Sequence, residues 1–215
     1  PAPLFRKTFS LNELPKKVTL FITAAGYYKS TINTFELENN ILDPTWTDYS
    51  KRIYYKEYDI TQQLTRGINC LGVTLGNGFY NPLPLKMWGR INLRERLSVG
   101  KPRFIAKIRI TYPNDKTEEI VSDSSWKYGY GPIIKNSVYL GTHYDANNEI
   151  KAWSHADFDD THWDNAIPAD PPGGKLQKAF FPPIKINKKI NPQKIYPTKN
   201  RKWIIDMGEN FTGTY

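Results

Sequence analysis

The stretch KVTLFITAAGYYKSTINTFEL, Lys17 to Leu37, decides the fold class. Val18, Leu20 and Ile22 recur with a period of two, which puts them on one face of a half-buried strand. The pattern breaks at Gly26 and resumes with Tyr28, Ser30 and Ile32, so the stretch reads as two strands joined at a glycine. Working outward, RIYYKEYDI (Arg52 to Ile60) alternates in the same way, and GINCLGVTLGNGF (Gly67 to Phe79) follows. RFIAKIRITYPNDKTEEIVSD (Arg103 to Asp123) predicts a hairpin turning at Pro113-Asn114-Asp115. Short strands separated by Gly, Pro, Asn and Asp, with almost no helical period, predict an all-β antiparallel sandwich of jelly-roll type.

At 215 residues the chain is long enough for one large β domain, or for one domain and the start of another. The single cysteine, Cys70 in INCLGVTL, reads as a small buried apolar residue, so no disulfide framework is expected. No apolar run approaches the roughly 18 residues that span a bilayer, and PAPLFRKTFS has neither the apolar core nor the cleavage site of a secretory signal. Thirty Lys and Arg against 21 Asp and Glu give a formal charge of +9. The densest basic runs are KINKKINPQK (Lys185 to Lys194), a solvated connector by its Pro and Asn content, and KMWGRINLRER (Lys86 to Arg96). Neither carries a nucleic-acid motif, so no nucleic-acid partner is expected. The histidines His143, His155 and His162 lack zinc-ligand spacing.

The aromatic segment WSHADFDDTHWDNAIPADPPGGK (Trp153 to Lys175) reads as a loop pinned by Trp153, Phe158 and Trp163, its acids forming turns and caps. From Phe181 to Thr198 four prolines and several lysines mark an extended connector. RKWIIDMGENFTGTY then starts a strand-like run with no following partner. The expected organisation is a sandwich over residues 1–182 and the truncated opening of a second β domain over 183–215, with Tyr215 the end of a fragment.

Several motifs occur in a fixed order: TAAGYYKSTIN (Thr23 to Asn33), LDPTWTDYSKRIYYKEYDIT (Leu42 to Thr61), LGNGFYN (Leu75 to Asn81), SDSSWKYGYGPI (Ser122 to Ile133), YDANNEIKAW (Tyr144 to Trp153) and FDDTHWDNA (Phe158 to Ala166). In that order they resemble the front of bacterial α-L-rhamnosidases, and DMGENFTG (Asp206 to Gly213) resembles the opening of the next β domain of those enzymes. The resemblance implies that hydrolysis belongs to a later (α/α) barrel with an inverting pair of carboxyl groups, about 6.5–9.5 Å apart. It implies for this chain a non-catalytic N-terminal sandwich, with no catalytic residue to carry over. It also implies a secreted or periplasmic parent enzyme whose signal peptide is absent from this chain.

A deoxysugar such as rhamnose presents an apolar face and an edge of hydroxyls, so a site for it needs an aromatic platform beside amide hydrogen-bonding groups. Asn39, Asn40, Trp46, Asn77, Tyr80 and Trp88 have those chemistries and fall in expected loops. The resemblance further implies a calcium ion held by Asn39, Asn77 and the Pro82 carbonyl, because some similar modules hold calcium against the sugar hydroxyls. Here Asn39-Asn40 stands where those modules carry Asp-Asn, so one carboxylate is missing. Asn33-Thr34 likewise replaces the Asn-Gly of the first hairpin, and a β-branched residue at positive φ predicts a different turn. Trp46 and Tyr49 are read first as plugs of the sandwich end, Trp126, Trp153 and Trp163 as core or loop anchors, and Trp88 equally as a sugar platform or a domain-contact residue. Two functions stay open: a module that binds rhamnose-containing glycan, and a structural domain that packs on the barrel.

Overall fold

A computed structural model describes residues 1–37, 41–83, 86–87, 89–199 and 202–210. They divide into two compact units, residues 1–184 and 185–215. The strands of the first, in chain order, are β1 (Pro3–Leu11), β2 (Lys17–Ala25), β3 (Tyr27–Ile32), β4 (Phe35–Glu36), β5 (Arg52–Asp59), β6 (Gly67–Gly76), β7 (Lys86–Met87) and β8 (Ile91–Asn92). They continue with β9 (Arg103–Thr111), β10 (Thr117–Val121), β11 (Lys127–Tyr130), β12 (Ile133–Ser137), β13 (Gly141–Tyr144), β14 (Asp164–Asn165) and β15 (Lys175–Lys178). One sheet has the order β14-β11-β1-β6-β3-β4 and the other β10-β9-β2-β5-β15. Pairing is antiparallel except where β15 runs parallel to β5.

The alternation of the opening stretch is the sandwich in miniature. Val18, Leu20 and Ile22 of β2 meet Leu71, Val73 and Leu75 of β6 and Ile108 and Ile110 of β9 in one buried cluster, so both sheets contribute to a single core. Gly26, at φ 119°, is where the chain leaves the sheet of β2 and enters the sheet of β3. A side chain is excluded there as well, since a Cβ would sit 2.5 Å from the Gly76 carbonyl. The expected hairpin at Pro113-Asn114-Asp115 joins β9 to β10, with Thr111 opposite Thr117.

The outer face of the sheet containing β6 is not left to solvent. Gly72 is buried because Trp153 and Ser154 lie over it, and a Cβ there would come within 2.9 Å of both the Ser154 Cβ and the Trp153 ring. The aromatic loop is held by Arg6 of β1, only 1% exposed. Its guanidinium donates to the carbonyls of Trp153 (2.9 Å), His155 (2.6 Å) and Phe158 (3.4 Å), pairs with the Asp160 carboxylate, and lies 5.2 Å from the Phe158 ring centre. Trp126 fills the core and donates its indole N–H to the Val121 carbonyl, while Trp163 packs against Gly129.

Two features depart from the sequence reading. Asn33 (φ 47°) and Thr34 (φ 74°) both take the left-handed conformation, the signature of a two-residue type I′ hairpin between β3 and β4, so the turn keeps its type despite the β-branched residue. Asn33 is fixed by side-chain bonds to Asn69, to the Gln63 carbonyl and from the Cys70 amide. In the second unit, the stretch expected to be connector contains β16 (Lys194–Pro197), which pairs antiparallel with β17 (Trp203–Asp206). The partner of that run therefore precedes it, and Pro197 at the strand end hid it. Among the described residues no helix is long and apolar enough to cross a membrane.

Candidate functional site

Three segments of the first unit meet around Phe79. The loop after β6 turns sharply at Gly78 (φ 50°), where a Cβ would collide with the Gly26 backbone at 2.9 Å, so this loop is seated directly on the crossover from β2 to β3. Its Phe79 ring packs against Trp46 (5.1 Å between centres), Tyr27 (6.4 Å) and Tyr139 (6.2 Å). Trp46 is held over this ring from both sides of its own loop. On one side Asp43 is buried against Lys56 Nζ at 2.7 Å and its carbonyl takes the Tyr28 amide; on the other Tyr49 is fully buried. Trp46 is 46% exposed, so it is partly open to solvent while its ring rests against Phe79.

Beside the rings runs a chain of amides. Asn77 donates its backbone N–H to Asn136 Oδ1 and its side-chain amide to the Asn136 carbonyl, both at 2.7 Å, and accepts at Oδ1 from Asn81 Nδ2 at 2.8 Å. Asn136 Nδ2 is buried without a partner among the described residues. β12 and β13 form the hairpin that carries Asn136, and Ser137 fixes its tip by donating to the Leu83 carbonyl and accepting from the Tyr139 and Leu140 amides. Burial pushes the Tyr27 and Tyr49 hydroxyls up from their usual range. The arrangement offers an apolar aromatic face beside neutral hydrogen-bonding groups, which is the chemistry a deoxysugar requires.

Trp46 and Asn77 are thus brought to one place. Tyr80 is not presented there: it is 4% exposed, stacked edge-on against Tyr49 at 5.0 Å and covered by Gly100, because the turn at Gly78 sends alternate side chains of the loop inward and outward. Pro82 is buried behind the loop. Asn39, Asn40 and Trp88 lie outside the described residues. Phe79, Tyr139 and Asn136 belong to the cluster and were not singled out by sequence. Phe79 stood within the GNGFYN motif, whereas Asn136 is 59 positions from Asn77 and no local period connects them.

Calcium takes about six to eight oxygen ligands and favours carboxylates. Asn77 Oδ1, with one lone pair already used, and the Pro82 carbonyl are neutral donors, and among the described residues no carboxylate is hydrogen-bonded or ion-paired to residues 77–83. These two described donors alone do not make a calcium site, and Asn39, the third expected ligand, lies outside the described residues.

Comparison with known proteins gives a consistent answer. The profile described as Alpha-L-rhamnosidase N-terminal domain matches residues 13–188. An α-L-rhamnosidase of Formosa agariphila is 33% identical over 99% of this chain, and one of an Alteromonas species 34% identical over 97%; the chain spans 22% of the length of each. Among solved structures, the α-L-rhamnosidase of Dictyoglumus thermophilum superimposes with a TM-score of 0.84 at 41% identity, covering 98% of this chain and 22% of that one. The Streptomyces avermitilis α-L-rhamnosidase complexed with L-rhamnose also gives 0.84, at 27% identity over 97% of this chain and 20% of that one.

Proposed function

The chain belongs to the α-L-rhamnosidase N-terminal domain family, and from that membership we propose that it acts as a non-catalytic part of an α-L-rhamnosidase that holds rhamnose-containing glycan for a catalytic barrel elsewhere in the same polypeptide. A polymeric glycan is met outside the cytoplasm, so the proposal includes a secreted or periplasmic parent enzyme. The observation that carries it is the half-exposed Trp46 ring, backed by Phe79 and flanked by the Asn136–Asn77–Asn81 amides. The apolar face of the sugar, with its methyl group, would lie on the indole, and the ring hydroxyls would meet the amides.

Calorimetric titration with L-rhamnose tests this. The W46A variant is expected to weaken binding about tenfold through the lost apolar contact and, since the ring also packs on Phe79, to melt only a few degrees lower as a folded chain. Unaltered affinity in W46A removes that ring from the site. Calcium at Asn39, Asn77 and Pro82 is the second variable of the same titration; given the neutral donors, chelation is expected to leave the heat of binding unchanged.

A structural role is favoured by a different observation. The tip of the β12–β13 hairpin exposes Val138, Tyr139 and Leu140 in succession, and turn tips are ordinarily polar. Such a tip suits insertion against another domain of the parent enzyme. Changing all three to Ser separates the readings: a docking tip loses its partner domain, whereas sugar binding at Trp46 falls only by what Tyr139 contributes.

A further inference from the structure

Between β14 and β15 the chain crosses from one sheet to the other, and AIPADPPGG (Ala166 to Gly174) makes the crossing. This strap is tied at both ends. The Ala166 amide donates to the Trp126 carbonyl at 2.8 Å and the Gly174 amide to the Tyr49 carbonyl at 2.9 Å. Arg103 adds a third tie by donating to the Asp170 carbonyl. Pro168, Pro171 and Pro172 have no amide hydrogen to give, so the stretch between the ties pairs with neither sheet.

Beneath the strap the core runs short of side-chain volume. Along β2 the inward residues shrink from Leu20 and Ile22 to Ala24, and Ala25 beside it is equally small. The result is a cavity of about 480 Å³ in the first unit, within the range of about 300–1,000 Å³ that small-molecule pockets occupy. Phe5, Phe104 and Trp126 line it, Phe104 meeting Phe5 edge-on at 5.0 Å and Trp126 edge-on at 5.3 Å. The three prolines of the strap complete the lining.

Among the described residues of the lining, the polar side chains are already engaged within the protein. Thr23 donates to the Tyr54 carbonyl at 2.6 Å, Ser122 Oγ accepts from the Ala106 amide at 3.0 Å, and Asp123 accepts from the Ser125 amide at 2.8 Å. Arg103 donates to the carbonyls of Lys101 and Asp170, and the Trp126 N–H to the Val121 carbonyl at 3.0 Å. An ordered water needs about two to four polar partners, and a sugar needs more, so the space suits an apolar guest.

We propose that the cavity under the proline strap binds an uncharged aromatic molecule of one or two rings, which extends the edge-to-face array of Phe5, Phe104 and Trp126. An aromatic guest gains from such an array beyond the area it buries, which a saturated guest of equal volume does not. A charge on the guest would lose its hydration among rings and prolines, a cost without a hydrogen-bonding group set aside to offset it. The inference is independent of the sugar reading of the Trp46 loop, since Trp46, Asn77 and Phe79 do not line this cavity.

The test is calorimetric titration of the 215-residue chain with indole and with quinoline, beside cyclohexanol, benzoate and L-rhamnose, while NMR follows the Trp126 indole N–H. Guests of this size predict half-saturation at about 0.1–1 mM. At about ten times that concentration the melting temperature should rise by about 3–6 °C. Cyclohexanol should bind about three- to tenfold more weakly, benzoate about tenfold more weakly, and L-rhamnose should neither displace indole nor move the Trp126 signal. A24I continues the Leu20 and Ile22 row into the space, and A169F fills it from an exposed position of the strap, so that one substitution serves where the other disturbs folding. Both should abolish binding of the aromatic probes. The inference is overturned by the lack of saturable heat or Trp126 shift with indole and quinoline up to about 10 mM. It is equally overturned by binding that survives in each variant that folds, by equal affinity for cyclohexanol or benzoate, or by displacement of indole with L-rhamnose.

Discussion

Replacing Arg6 with methionine removes a guanidinium that organises the aromatic loop from inside the protein. Three backbone carbonyls, of Trp153, His155 and Phe158, lose their side-chain donor, and Asp160 loses its counter-charge. Breaking a buried pair by removing one member costs about 3–5 kcal/mol, and methionine keeps most of the stem volume, so little of the loss is packing. Asp160 is 24% exposed and water reaches it, which places the expected loss near the lower end, about 3–4 kcal/mol. For a unit of this size each kcal/mol lowers the melting temperature by about 2–4 °C, so R6M should melt roughly 6–16 °C below the parent protein. D160N keeps a neutral acceptor and should cost about 1–2 kcal/mol. Thermal and urea unfolding followed by tryptophan fluorescence reads both, since Trp153 and Trp163 report the loop. A melting temperature for R6M within about 2 °C of the parent refutes the assignment of Arg6 as the clamp.

Thr34 is exposed at φ 74°, where a left-handed β-branched residue costs about 1–3 kcal/mol; T34G relieves that and gives back about 0.4–1 kcal/mol in unfolded-chain entropy, so a net rise in urea midpoint is expected. A fall in the T34G midpoint would show that the turn is not strained. Asn69 is fully buried and exchanges side-chain bonds with Thr65, Gly67 and Asn33, so N69A should cost about 2–4 kcal/mol by urea unfolding, whereas an exposed substitution such as I68T should cost far less. Asp59, Asp123 and Asp159 each accept from a hydroxyl and an amide two residues on, which holds their carboxyls below the usual 3.8. Folded-state values below the unfolded ones mean stability that is complete above about pH 5 and lost as the pH falls through the folded values, so the urea midpoint should be flat from about pH 5 to 8 and drop below about pH 4. A midpoint that rises on acidification contradicts this sign.

The core was legible because period-two alternation at the start of β2 and along β9 is a direct consequence of one face being buried, and β6, covered on both faces, was readable as an apolar run bounded by glycines. Gly26 was legible for the same reason, since a break in the period marks a change of sheet. The clamp was not. Arg6 lies in PLFRKTFSL, where a cation between apolar residues reads as the solvated face of a strand, and its acceptors are about 150 positions away. The β1 strand itself went unread because Arg6 occupies one of its buried positions. The site was half legible. Trp46 and Asn77 were recognisable by residue type within loops, but the inward turn of Tyr80 depends on Gly78 packing on Gly26, a contact between distant segments. The basic run at Lys86 to Arg96 was visible as charge, and only its bond from Arg94 to Asn81 gave it a place beside the candidate site.

The central claim is that Trp46 and Asn77 form a working sugar site. The most direct measurement is a heteronuclear NMR titration of this chain with L-rhamnose, following the Trp46 indole N–H and the Asn77, Asn81 and Asn136 side-chain amides. The account predicts saturable shifts confined to those signals and abolished in W46A. Their absence at saturating sugar, or shifts centred elsewhere on the sandwich, would contradict it.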